Sequence, residues 1–270
     1  MTEVPSKFSP GAGPERGKAP DFQLRLASDA ATLRAAQRLR YRVFVEELGG
    51  DGPLVDHAAR REIDRFDDHC DHLILIDRAL PGKEADQVVG VYRLLRECGA
   101  ARAGQFYSED EYDLGALRAS GRRLAELGRS CVDARYRGGE ALFQLWQGLA
   151  GYVEEHGIDV LFGVASFHGT DTAALAEPLS LLHHRHLAPP ELRARARVHE
   201  PMDLIAEGAI DRRAAMVRMP PLIKAYLRLG GHVGDGAFID HAFNTVDVFL
   251  VMDTARLCAS RRALYAGPRG

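Results

Sequence analysis

The sequence predicts an α/β protein with helices flanking a mixed, mostly antiparallel sheet, and three observations carry that prediction. Early apolar segments at Phe22–Leu26, Leu73–Asp77 and Val88–Leu95 read as strands that pair as a meander. From Leu124 onward, strand-like and helix-like segments alternate. No Pro/Gly/Ser linker divides the chain after residue 21, so residues 21–270 are expected to form one domain.

Taken in order, residues 1–20 are rich in Pro, Gly and charge and have nothing to bury, which predicts a disordered tail. Ser28 or Asp29 caps a helix running to about Glu47, with Leu33, Ala36, Leu39 and Val43 as its apolar stripe. Gly49-Gly50-Asp51-Gly52-Pro53 stops that helix, and a long polar connection leads to Leu73. Pro81-Gly82 turns the chain into Val88–Leu95, giving a hairpin. Leu124–Val132 is a strand, and a helix follows from Glu140 to about His156. Val160–Ala165 is a short buried strand, 171–186 and 212–229 are helical, and Val246–Met252 is a late strand.

Composition excludes several classes. With 27% charged and 46% hydrophobic residues, the 270-residue chain is neither collagen-like nor largely disordered. A net charge of −3 argues against a whole-surface nucleic-acid binder, and no nucleic-acid partner is expected. Cys70, Cys98, Cys131 and Cys258 lack a framework spacing, as reduced thiols in the cytoplasm would. No apolar run approaches the roughly 20 residues of a membrane helix, and the N-terminus lacks a signal-peptide core. Only four of the 35 basic residues are lysines, so single arginines carry little weight.

The sharpest local feature is the strand followed by Arg135-Tyr136-Arg137-Gly138-Gly139 and a helix. Such a turn aims free backbone N–H groups and the positive end of a helix at an anion, and Arg135 and Arg137 add phosphate-matching donors. A plain strand-to-helix connection reads equally well. The turn is neither a Walker loop nor a dinucleotide fingerprint. Just upstream lies Glu126-Leu127-Gly128-Arg129-Ser130-Cys131-Val132. In a regular strand Arg129 points away from Glu126, but a glycine within a strand often marks a bulge, which would re-aim Arg129 into the same cleft. Glu126 beside an anion-binding turn is a candidate general base; a salt-bridged edge carboxylate is the competing reading. Cys131 reads as a small buried filler.

These residues carry a resemblance. Leu39-Arg40-Tyr41-Arg42-Val43-Phe44, Asp64-Arg65-Phe66-Asp67, Tyr92-Arg93-Leu94-Leu95 and Glu126-Leu127-Gly128-Arg129, in that order, resemble the acyl-homoserine-lactone synthases and their relatives in the GNAT acyltransferase superfamily. The tryptophan those synthases carry six residues beyond the position of Phe44 is replaced by Gly50. The second half, with Phe167-His168-Gly169-Thr170-Asp171, the 181–190 stretch and the 234–244 stretch, resembles the haemolysin-like ornithine N-acyltransferases of bacterial ornithine-lipid synthesis.

The resemblance implies a GNAT-like domain with a family-specific C-terminal extension. It further implies transfer of a 3-hydroxyacyl chain from acyl carrier protein to the α-amine of ornithine, giving lyso-ornithine lipid. Glu126 and Arg129 are then the expected catalytic residues. Arg40, Phe44, Asp64, Asp67, Arg93, Cys131, Val132, His168 and Asp171 are expected to contact substrate. Arg135, Arg137, Gly138 and Gly139 are expected to hold the carrier's phosphopantetheine, although Glu140 departs from the small residue usual in that turn. The thioester-bearing carrier is a co-substrate; no separate cofactor and no metal are expected. A cytoplasmic enzyme touching the inner membrane transiently follows from the lipid product.

His168, His183, His184 and His186 lack a completing carboxylate or Cys spacing, so packing or cleft-lining is the preferred reading over a metal site. Arg193, Arg195 and Arg197 alternate and would form one charged face, either a solvated edge or a dock for an acidic carrier protein. Two other functions stand beside the first: an autoinducer synthase, and a non-catalytic acyl-carrier- or membrane-binding protein. Retention of Glu126, the turn arginines and Asp64/Asp67 favours an enzyme over the last.

Overall fold

The computed structural model describes residues 19–256, Gly138 excepted. The expected tail and Cys258 therefore lie almost wholly or wholly outside the described residues. In chain order the elements are β1 (Phe22–Leu26), α1 (Ala30–Arg40), β2 (Asp71–Asp77), β3 (Val88–Arg96), α2 (Glu97–Ala103), β4 (Tyr112–Asp113), α3 (Gly115–Ala119), β5 (Leu124–Val132), α4 (Gly139–His156), β6 (Val160–His168), α5 (Ala176–His186), β7 (Arg195–Ala196), α6 (Arg212–Arg218), α7 (Pro221–Arg228), β8 (His232–Asp240) and β9 (Thr245–Asp253). The strands form one nine-stranded sheet in the order β1-β2-β3-β5-β6-β9-β8-β7-β4. Its pairs are antiparallel except β5–β6 and β7–β8, the mixed and mostly antiparallel arrangement expected.

The period-2 alternation of β2 explains the layering. Leu73 and Leu75 face a core containing Leu145, Trp146 and Leu149 of α4, whereas Ile74 and Ile76 face Ala35, Ala36 and Leu39 of α1. Helices thus cover both faces, and every residue of β2 from His72 to Asp77 is buried. The Asp29 carboxylate accepts from Thr32 N–H at 2.7 Å, settling which residue caps α1. Past Arg40 the helix widens into a π-helical stretch, Tyr41–Glu47, a geometry found often at functional sites.

Several boundaries differ from expectation for local reasons. The single helix predicted over 212–229 is two, because Pro220 and Pro221 cannot continue the ladder. Helix α5 starts at Ala176, since Asp171 caps a turn by accepting from Ala174 N–H. Strand β8 went unpredicted: its Gly234-Asp235-Gly236 segment bulges between the Val233–Leu250 and Ala237–Val248 pairs, which breaks the alternation. A Cβ on Gly234 would lie 2.7 Å from the Ala194 carbonyl oxygen.

Candidate active site

Strand β5 organises the site. It pairs in parallel with β6 only through Leu124–Val160, Ala125–Leu161 and Glu126–Phe162, and beyond Glu126 the two strands part. The close approach at the fork needs Gly163, whose Cβ would stand 2.1 Å from the Leu127 carbonyl oxygen. On the other side of β5 the register with β3 slips between Val91–Cys131 and Arg93–Gly128, placing one extra residue in β5. That bulge was the sequence expectation, and Arg129 itself occupies it at φ +50°. A left-handed non-glycine residue is strained, so it must be held.

What holds Arg129 is a closed ring of alternating charge. Arg129 Nε bonds Glu62 at 3.0 Å; Glu62 bonds Arg40 Nε at 2.5 Å; Arg40 makes a forked pair with Asp67 at 2.8 and 3.1 Å. Asp67 bonds Arg93 at 3.1 Å, Arg93 bonds Asp64, and Asp64 returns to Arg129 at 3.2 Å. Three cations meet three anions, and Arg40 is wholly buried. Burial alone would raise the three carboxylates, but the Arg93, Arg129 and Arg40 charges hold Asp64, Asp67 and Glu62 below the usual carboxylate range. The Arg129 guanidinium also lies 4.7 Å from the Tyr107 ring centre and 5.3 Å from that of Phe243.

The Glu126 carboxylate is buried and accepts from Tyr107 N–H and Ser108 N–H, each at 2.7 Å, and from the Ser108 hydroxyl. Oε1 takes both Ser108 donors and Oε2 one, leaving a lone pair on Oε2. Burial raises its pKa despite these donors. A cavity of about 280 Å³ opens at the fork. Glu126, Arg129, Arg93, Phe44 and His168 line it, joined by Tyr107, Gly163, Phe243, Asp240 and Asp247.

Other expected contacts are placed elsewhere. Arg40, Asp64 and Asp67 do not line the cavity; their polar groups are spent on the ring, so they brace Arg93 and Arg129. Cys131 packs with α1 in the opposite core, where burial pushes its thiol up to about 12. Val132 pairs with Gly90 and its carbonyl accepts from Arg137, and Asp171 is an exposed turn cap. In the turn, Gly139 opens α4, Arg135 pairs with Asp133 at 3.0 Å and Arg137 with Glu47 at 2.5 Å; Gly138 lies outside the described residues. Arg193, Arg195 and Arg197 alternate with buried Leu192, Ala194 and Ala196, as one outward face requires. His184 Nε2 lies 3.0 Å from the Ile205 carbonyl oxygen, a packing contact.

Sequence reasoning missed Glu62 and the pocket's second acidic group. Glu111, Asp240 and Asp247 present carboxylate oxygens all within 4.8 Å of one another. Burial pushes Asp247 up to about 6 and Glu111 well above the carboxylate range. One signal was available: Asp247 is a lone charge inside the apolar strand Val246–Met252. Gly50 also gains a meaning. A Cβ there would lie 2.6 Å from Phe243, so a tryptophan at this position and the present Phe243 exclude each other.

The chain is similar to known proteins. Residues 39–147 match the family model described as Acetyltransferase (GNAT) domain. The L-ornithine N(alpha)-acyltransferase of Rhodobacter capsulatus is 61% identical over 244 residues, covering 90% of this chain and 94% of the relative. That of Brucella abortus is 47% identical over 255 residues, covering 93% and 90%. Among solved structures, BjaI, a CoA-dependent acyl-homoserine lactone synthase with MTA, matches with a TM-score of 0.52 at 13% identity over 91% of this chain and 88% of its own. FeeM, an N-acyl amino acid synthase from uncultured soil microbes, matches with a TM-score of 0.50 at 14% identity over 88% and 93%. These two share the fold. At up to 61% identity across nearly full length, the chain belongs to the L-ornithine N(alpha)-acyltransferase family of GNAT proteins.

Proposed function

We propose that the protein transfers a 3-hydroxyacyl group from the phosphopantetheine thioester of acyl carrier protein to the α-amine of ornithine, forming lyso-ornithine lipid. The observation that carries this reading is the fork of β5 and β6, which opens a cavity lined by a buried carboxylate, two arginines and apolar walls. The names of the curated relatives supply the acceptor.

The reaction is aminolysis. The α-ammonium first loses a proton to Glu126, directly or through a water, at the Oε2 lone pair that Tyr107 leaves free. The amine then attacks the thioester carbon. The oxyanion so formed is stabilised by backbone N–H groups on the edge of β5 that loses its ladder partner after Glu126. The carbon–sulfur bond breaks as the amide forms, and the carrier thiolate regains a proton. Arg129, fixed by the ring, presents positive charge to the acceptor carboxylate. Arg135, Arg137 and Gly139 meet the single phosphodiester of the carrier at the mouth of α4. The enzyme works from the cytoplasm and touches the inner membrane as its one-chained product departs. A lactone synthase fits less well, because Phe243 fills the space beside Gly50.

Purified protein given 3-hydroxyacyl carrier protein and ornithine should yield an α-amide with a free δ-amine, read by mass spectrometry. Glu126→Gln should lower turnover by roughly two to four orders of magnitude. A δ-amide, a lactone formed from S-adenosylmethionine, or near-normal turnover of the variant at saturating ornithine would each contradict the scheme.

A further inference from the structure

Glu111, Asp240 and Asp247 lack a directly paired cation; Arg129 acts on Glu111 and Asp247 only from beyond ion-pair distance. None of the three forms an ion pair with a Lys, Arg or His among the described residues. Glu111 and Asp247 are each only 4% exposed, and Glu111 Oε2 and Asp247 Oδ1 are sealed from solvent with no donor in full hydrogen-bond geometry, the Ser166 and Thr245 hydroxyls lying close enough to lower the Asp247 pKa in part. An unpaired buried carboxylate oxygen is costly unless a partner arrives. Two of the three residues line the cavity that holds Glu126 and Arg129, so a partner entering that cavity reaches them.

We propose that this triad seats the side-chain ammonium of the acceptor, making the enzyme selective for a diamino acid. The inference rests on the reading of the cleft as an amino-acid acyltransfer site, and it names the residues that select the acceptor. Oxygens no more than 4.8 Å apart can share a centre about 2.8 Å from each, the length of a charged N–H···O bond. An ammonium has three N–H donors, one for each carboxylate. A hard divalent cation asks for about six or more oxygen ligands, whereas Asp240 Oδ1 is already shared by Ala242 N–H and Phe243 N–H. The arrangement also explains regiochemistry. An ammonium held among carboxylates keeps its proton and is no nucleophile, which leaves the α-amine as the group that reacts.

The test compares ornithine with norvaline, which has the same α-amino acid head and no side-chain amine. Wild-type enzyme should prefer ornithine strongly in kcat/KM. In Glu111→Gln, Asp247→Asn and the less buried Asp240→Asn, the ornithine-to-norvaline ratio should fall roughly 10- to 100-fold, as loss of a hydrogen bond to a charged group implies. Circular dichroism identifies any variant that fails to fold, and Asp240→Asn, at a partly exposed position, carries the test if the buried variants do. Retention of the full preference in folded variants overturns the proposal. Stoichiometric binding of manganese alone in calorimetry, abolished by Asp247→Asn, overturns it in favour of a metal site. A wild-type enzyme that acylates no amino acid would instead refute the underlying acyltransfer reading.

Discussion

Two groups of acids feel the Arg129 charge and differ in one respect. Glu62, Asp64 and Asp67 are matched by Arg40, Arg93 and Arg129, and their pKa values are held down. Glu111 and Asp247, also buried, have no directly paired cation, and their pKa values are pushed up. The same side-chain chemistry gives opposite shifts because burial penalises charge in both places and directly paired guanidiniums repay it in only one, the Arg129 charge reaching the other too weakly to offset burial. The carboxylates of the matched set are spent on arginines and act as a brace, which fixes Arg93 and Arg129 at the cavity wall. An unsaturated one has capacity for a cation, and it faces the cavity. Residue type alone therefore does not separate a binding carboxylate from a structural one; the state of its partners does.

The contrast is broken most directly at Arg40. Arg40→Ala leaves Glu62 and Asp67 buried beside too little positive charge and should cost about 3–5 kcal/mol of stability in urea unfolding. A loss below about 1 kcal/mol would show that the ring is not the brace described. The sharper comparison is with pH. Asp247 has its folded pKa raised, to about 6, above the ordinary unfolded value near 3.9. Between those values the folded state binds more protons, so stability falls as pH rises from about 4 to about 6 and then levels. Relative to Asp247→Asn, the wild type should lose on the order of 3 kcal/mol across that window. The ring behaves oppositely. The lowered Asp64 pKa contributes stability that is present above the unfolded value and is lost as pH falls through the folded one. If wild type and Asp247→Asn show parallel stability profiles from pH 4 to 7, the acidic triad is not an uncompensated site.

Exposed pairs set the lower limit of the comparison. Arg135–Asp133 and Arg137–Glu47 lie at the surface of the turn, where ion pairs are worth about 0–1 kcal/mol. Added salt, with a screening length of about 10 Å near 0.1 M, should raise the apparent KM for acyl carrier protein while shifting that for ornithine less. Carrier kinetics independent of salt would remove these arginines from docking.

The central strands and first helix were legible because short-range periodicity dictates them. Leu124–Val132 appeared at its observed limits, and the apolar run Leu73–Ile76 marked the strand that ends at Asp77. Gly128 flags the bulge from sequence alone, since a glycine inside a strand weakens regular pairing. Arg40, Asp64, Asp67 and Arg93 were recognisable as a set by resemblance, but their sequence spacing does not say whether they face substrate or one another. The ring closes across separations such as the 67 residues between Glu62 and Arg129, and only tertiary folding brings these together. The same holds for Glu111, which comes from the turn just before β4, while Asp240 ends β8 and Asp247 is the third residue of the neighbouring β9. By itself the sequence determined the longer helices, most strands and the place of Glu126 on β5, because those follow from local pattern. The tertiary structure decided which charges are neutralised and which are left open, because that depends on desolvation and on partners remote in the chain.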